Sequence, residues 1–217
     1  MIVVIQCAAS KRPDAGHLIT STGELVDFVA HPEAAPFRPD RVYARPDDLR
    51  EDGHSWRHIL VNYNEEPGSN PLGLLPAYKL YENRTYERLA DRFGLRSVYI
   101  LSAGWGLIRA DFLTPFYDIT FSVSAETYKR RRKADRYDDF RMLPRDTKED
   151  VVFLGGKDYV QSFCSLTESI HTRKVVFFDS VVVPRLKDCV PKRFETNTRT
   201  NWHYECAAAL LDGGVSI

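Results

Sequence analysis

The chain has 217 residues, 43% of them hydrophobic, enough for one sizeable core and too few to expect a second independent one. Its 30 basic and 30 acidic residues cancel, so attraction to a polyanion has to come from a local patch and not from the molecule as a whole. The four cysteines (Cys7, Cys164, Cys189, Cys206) form no C-x-x-C pair, no apolar run is long enough to cross a bilayer, and Met1 to Ile5 lacks a leader's basic start; we expect reduced thiols, no membrane role and a cytoplasmic location.

In chain order, Ile2 to Cys7 reads as a buried parallel strand that ends in the polar turn Ala8-Ala9-Ser10-Lys11. Residues 12 to 72 are rich in Pro, Asp, Arg and Gly and read as a long insertion or lid, with only His58 to Tyr63 extended. Asn83 is placed to cap a helix in which Tyr86, Leu89, Ala90 and Phe93 share one face, and Gly94 to stop it. Ser97 to Leu101 is a second strand. Its end carries Ser102-Ala103-Gly104-Trp105-Gly106, where glycines allow a ligand close to the backbone. Ser124 is expected to cap a helix holding Lys129, Arg130, Arg131, Arg132, Lys133 and Arg136, the densest basic run in the chain. Val151 to Leu154 is a third strand, ended by Gly155-Gly156-Lys157, and Lys174 to Phe178 a fourth. Asn201 opens a last helix with Trp202, Cys206, Ala209 and Leu210 on one side, closed by Gly213-Gly214.

This alternation predicts a single α/β domain: a mostly parallel central sheet with helices on both faces and a long N-terminal insertion. Ligands of such sheets sit beyond the carboxyl ends of the strands, and three of those ends carry polar or glycine-rich chemistry. One composite site is therefore expected.

Five blocks stand in order: Cys7-Ala8-Ala9-Ser10-Lys11, Ala77-Tyr78-Lys79-Leu80-Tyr81, Leu101-Ser102-Ala103-Gly104-Trp105-Gly106-Leu107, Pro115-Phe116-Tyr117-Asp118 and Leu154-Gly155-Gly156-Lys157-Asp158-Tyr159. Together they resemble the C-S-K, L-Y, L-S-A-x-x-G-L, P-Y-D and L-A-G-x-x-Y blocks of the YaaA-like family of DNA-binding stress proteins, over residues 3 to 160. The chain departs from that pattern in the extra residue of Ala8-Ala9, in Trp105 and in the length of 12–72, and residues after 180 match nothing in it. The resemblance implies DNA binding and a role in genome protection or phage defence, and it is similar, more remotely, to base-excising enzymes.

The expectation drawn from residues and resemblance together is a DNA glycosylase-like enzyme that cleaves the N-glycosidic bond of a modified base. Asp118 would serve as its catalytic carboxylate, against the plainer role of a turn aspartate. Cys7, Ser10, Lys11, Tyr81, Ser102, Gly104, Trp105, Tyr117, Gly156 and Lys157 would line the substrate site, and the basic run would grip phosphates. Trp105 has a competing reading as a core plug, the glycine pair around it as a tight turn, and Cys7 as a buried strand-end thiol. A non-catalytic DNA binder and a nucleoside or nucleotide hydrolase or transferase are the alternatives. No cofactor or metal is expected: the chain has no Walker or dinucleotide glycine string, and His203-Tyr204-Glu205 lacks the P-C-x-x-C partner of a zinc deaminase.

Overall fold

In chain order the elements are β1 (Ile2–Gln6), β2 (Leu25–Phe28), β3 (Arg41–Ala44), α1 (Trp56–Glu65), β4 (Leu75–Pro76), α2 (Ala77–Leu80), α3 (Thr85–Phe93), β5 (Val98–Ser102), β6 (Gly106–Arg109), β7 (Leu113–Thr114), β8 (Phe140–Arg141), β9 (Val151–Leu154), α4 (Lys157–Leu166), β10 (Lys174–Phe178), β11 (Val190–Arg193) and α5 (Trp202–Leu211). The structure is a computed structural model that describes residues 1–66, 68–198 and 200–217.

Seven strands form the central sheet in the order β11-β10-β9-β1-β5-β6-β8. Neighbours are parallel except for the antiparallel pair β5 and β6. β1 is central, so Val3, Val4 and Ile5 are covered on both faces, which explains a run with no polar alternation. Helices α3 and α5 pack on each other, α3 against β1 and β5 and α5 against β9, while α4 lies against β6 from the other side. The fold is the expected α/β domain with helices on both faces. Because β9, β1 and β5 are adjacent and parallel, their carboxyl ends share one rim.

Residues 12–72 are tied into this body. They form the small parallel sheet of β2 and β3, and they contribute Leu18, Val26, Phe28, Trp56 and Leu60 to the same core as β1 and β5. Residues His58 to Tyr63, expected as extended, lie inside α1. Ser55 caps that helix by accepting from the His58 amide, and Trp56 and Leu60, four apart, face inward. Asn64 then exchanges two hydrogen bonds with the backbone of Leu113, at 2.8 and 3.0 Å, fixing α1 beside β7.

The helix expected from Ser124 through the basic run does not form. Ser122 and Ser124 bond to each other and to nearby backbone, a local competitor of helix hydrogen bonding. Downstream, Thr120 bonds backbone to backbone with Lys129 and Arg131, and the Lys129 and Arg130 amides donate to the Glu126 and Thr127 carbonyls in turns.

Candidate functional site

Ser102 pairs with Gly106 across β5 and β6, so Ala103-Gly104-Trp105 is a three-residue hairpin loop. The Ser102 hydroxyl accepts from the Gly104 and Trp105 amides, at 3.2 and 3.1 Å, and closes the turn. Gly106 has φ +87°, and a Cβ there would come within 2.7 Å of the Phe140 amide. A Cβ at Gly104 would press on Tyr117 and Ile119. The glycines thus serve turn geometry and close packing. Trp105 points inward, fully buried against Phe28 with ring centroids 4.9 Å apart and under the Arg57 guanidinium. Ser102, Gly104 and Trp105, expected as ligand contacts, belong to the structural floor behind the rim.

On that floor lies a buried phenol cluster. Tyr81 and Tyr117 share a hydrogen bond of 2.9 Å, and Tyr159 meets the Cys7 thiol at 3.3 Å. Burial raises all three phenols well above their ordinary value, so they act as neutral hydrogen-bonding groups. Lys11 is also buried, its ammonium 4.1 Å from the Tyr117 ring centroid, and burial lowers its pKa. Asp118 stands close by, but its carboxylate is paired with Lys129 at 2.9 Å. Lys129 also holds Glu126, and these two partners raise its pKa.

Open space lies just outside this cluster. A cleft of about 860 Å³ runs along the rim at the ends of β1, β9 and β10. Cys7 and Ser10 line it from β1, Gly156 and Lys157 from β9 and α4, as expected. Gln6, Glu82, Asn83, Tyr159, Asp179, His203 and Tyr204 also line it. Gln6 shapes the floor, since its Oε1 accepts from the Gly156 amide at 2.6 Å. His203 is 3% exposed with its Nε2 unpartnered among the described residues, and burial lowers its pKa to about 4. Tyr81, Tyr117 and Lys11 lie behind the cleft.

Two helices begin at this cleft, where Lys157 and Asp158 open α4 and Trp202 and His203 open α5; Glu82 and Asn83 line it from the turn that leads into α3. Among the described residues neither α4 nor α5 has a side-chain cap. The partial positive charge of each helix start adds to that of the other. Sequence reading recognised the β-strand ends and the helix α5, but did not place α5 at the rim, because Trp202 to Tyr204 lie far along the chain from the other rim residues.

The basic run divides in two. Arg131 is buried: it forms a two-pronged pair with Asp139 at 2.8 and 2.7 Å, donates to the Ala103 carbonyl at 2.9 Å and lies 3.8 Å from the Tyr137 ring centroid. With Lys129 also engaged, these two are structural. Arg130 is half-buried, and its backbone bridges to Thr120. Arg132, Lys133 and Arg136 are exposed and have no carboxylate within ion-pair distance among the described residues. Arg132 and Lys133 line a groove of about 480 Å³ with Asp135, Asp138, Asp139 and Arg141, and Asp158 borders both this groove and the rim cleft.

No group of three or more metal-ligating side chains occurs among the described residues, and no helix is long and apolar enough to cross a membrane. No protein-family model, curated protein or solved structure matches the chain.

Proposed function

We propose that this chain binds a nucleotide unit by its phosphate in the rim cleft and cleaves the N-glycosidic bond of that unit. The observation that carries the reading is that the first residues of α4 and α5, neither with a side-chain cap among the described residues, line one opening together with the turn that leads into α3. Such ends bind phosphate through backbone amides without a large net positive charge, which suits a chain whose charges cancel. Lys157 adds an exposed cation, and the half-buried Tyr204 ring lines the cleft where a base would lie. The blocks that resemble the YaaA-like family supply much of this cleft and its floor, and kinship with that family is part of the proposal.

Glycosidic cleavage needs a carboxylate to stabilise the cationic sugar or to activate water. Asp118 is occupied by Lys129, whereas Asp179 is half-buried at the end of β10, lines the cleft and has no ion-pair partner among the described residues. Asp179 takes the catalytic role in this reading, and Asp118 keeps Lys129 in place beside Lys11. Calorimetric titration with nucleoside 5′-monophosphates and with the matching nucleosides tests the binding claim. The phosphate should improve affinity at least tenfold, and equal affinity for both sets sinks the proposal. Release of free base, followed by chromatography, tests the chemistry. The D179N protein should bind as before and turn over roughly 10²- to 10⁴-fold more slowly.

A second reading places the nucleotide within DNA, as a DNA glycosylase-like enzyme or a plain DNA binder in genome protection. It is favoured by exposed Arg132, Lys133 and Arg136, since the groove beside them adjoins the cleft at Asp158. The acidic residues of that groove weigh against it, and they make the free nucleotide the leading substrate class.

A further inference from the structure

Three of the four thiols take no part in the cleft, and two of these three stand side by side. Cys164 lies in α4, Cys189 directly precedes β11, and their sulfur atoms stand 3.9 Å apart. Both are half-buried free thiols, reachable by a small reagent, whereas Cys7 and Cys206 are buried. Burial raises the Cys206 thiol to about 12, and Cys7 is in contact with Tyr159. The paired thiols also have a buried cation near them. Lys174 is 3% exposed, and its ammonium donates to the Thr167 carbonyl at 3.0 Å. A hydrogen bond from Cys189 lowers the Cys164 pKa, with the Lys174 charge acting in the same direction. Cys189 shifts upward for the complementary reason, because it retains the shared proton.

We propose that Cys164 and Cys189 form a dithiol site that a hydroperoxide oxidises to an intramolecular disulfide, bridging α4 to the segment that enters β11. The Cys164 thiolate attacks the peroxide, breaking its O–O bond and giving a sulfenic acid and one alcohol or water. The Cys189 sulfur then attacks the Cys164 sulfur. The S–S bond forms as the S–O bond breaks, and hydroxide leaves with the Cys189 proton as water. Two thiols lose two electrons in all, and the two peroxide oxygens gain them. The sulfurs must close from 3.9 Å to about 2 Å, a shift within reach of side-chain rotation and a small movement of the exposed connection at residues 181–188.

The bridge would act on the cleft from behind. The start of α4 supplies Lys157 and Asp158 to the cleft, and the exit of β10 supplies Asp179 and Ser180. Oxidation would tie those two walls together through their far ends. This inference does not depend on what the cleft binds, because its test reads thiol chemistry alone.

The test treats the full-length protein with about one equivalent of hydrogen peroxide at neutral pH, blocks remaining thiols and maps peptides by mass spectrometry. The expected product is monomeric, lacks two hydrogens and yields one cross-linked peptide pair containing residues 164 and 189, with Tm raised by several degrees. C189S should accumulate a sulfenic acid at Cys164 that dimedone traps, and C164S should give much less adduct at Cys189. Oxidation of Cys7 or Cys206 ahead of the pair, a bridge between two copies, or equal trapping in both variants overturns the proposal.

Discussion

Arg131 shows how far a residue's role can lie from its sequence neighbourhood. It sits in the middle of six basic residues, yet its guanidinium is enclosed by Asp139, the Ala103 carbonyl and the Tyr137 ring. Removing one partner of a buried pair leaves the other charge unsatisfied and costs about 3–5 kcal/mol. R131A should therefore lower unfolding stability by that amount in a urea titration. R131K should recover little of it, because an ammonium cannot match the planar two-pronged geometry. A residue that only gripped phosphate would leave stability unchanged. Trp105 makes the same point: the glycines on either side suggest an open loop, but the hairpin turns the indole inward, and only its contacts with Phe28 and Arg57 reveal that.

At the level of elements, continuous apolar runs were readable from sequence. β1, β5, β9 and β10 lie within one residue of where buried runs end, because a strand covered on both faces has no polar positions to blur it. β2, β3, β6 and β8 were not readable: they are two to four residues long and defined by partners distant in sequence. The local composition of the basic segment favours a helix, while Arg131 and the Thr120 pairing hold it in turns around a single bridge. That correction changes what the segment can do for DNA. Only Arg132, Lys133 and Arg136 remain exposed and unpaired among the described residues. If DNA is the ligand, replacing these three with alanine should reduce the slope of log affinity against log salt by up to about 2.7, near 0.9 per lost phosphate contact. Filter binding at several salt concentrations measures it, and an unchanged slope removes the second reading. The Cys164 to Cys189 bridge also belongs at this scale. Closing a loop of 25 positions between α4 and β11 should contribute about 3.5 kcal/mol if the native geometry accepts it without strain.

For the whole molecule, the rim site could be located in outline but not in membership. Polar strand ends pointed to the rim, and Cys7, Ser10, Gly156 and Lys157 line the cleft there. Asp179, His203 and Tyr204 complete the cleft through folding that brings residues near 180 and 200 back to the start of β1, and no local pattern marks them. His203 also gives the fold a pH signature. Burial holds it neutral to about pH 4, whereas the unfolded chain takes up that proton near pH 6.5. The unfolded state thus binds more protons across this window, and stability falls as pH drops from about 6.5 to 4. The loss attributable to His203 is up to about 3 kcal/mol. Read from denaturant midpoints across that range, the parent should lose up to that amount relative to H203Q as pH falls from 7 to 4; parallel curves would exclude His203 as the source.

The position of β1 has a consequence for biosynthesis. Its two hydrogen-bonded neighbours are β5 and β9, so during synthesis this strand has one flank uncovered until residues 151–154 have also emerged. A nascent chain paused before that point exposes the unpaired edge of Val3, Val4 and Ile5 to other chains and to chaperones. Truncation before β9 should therefore yield aggregates and not a smaller folded unit.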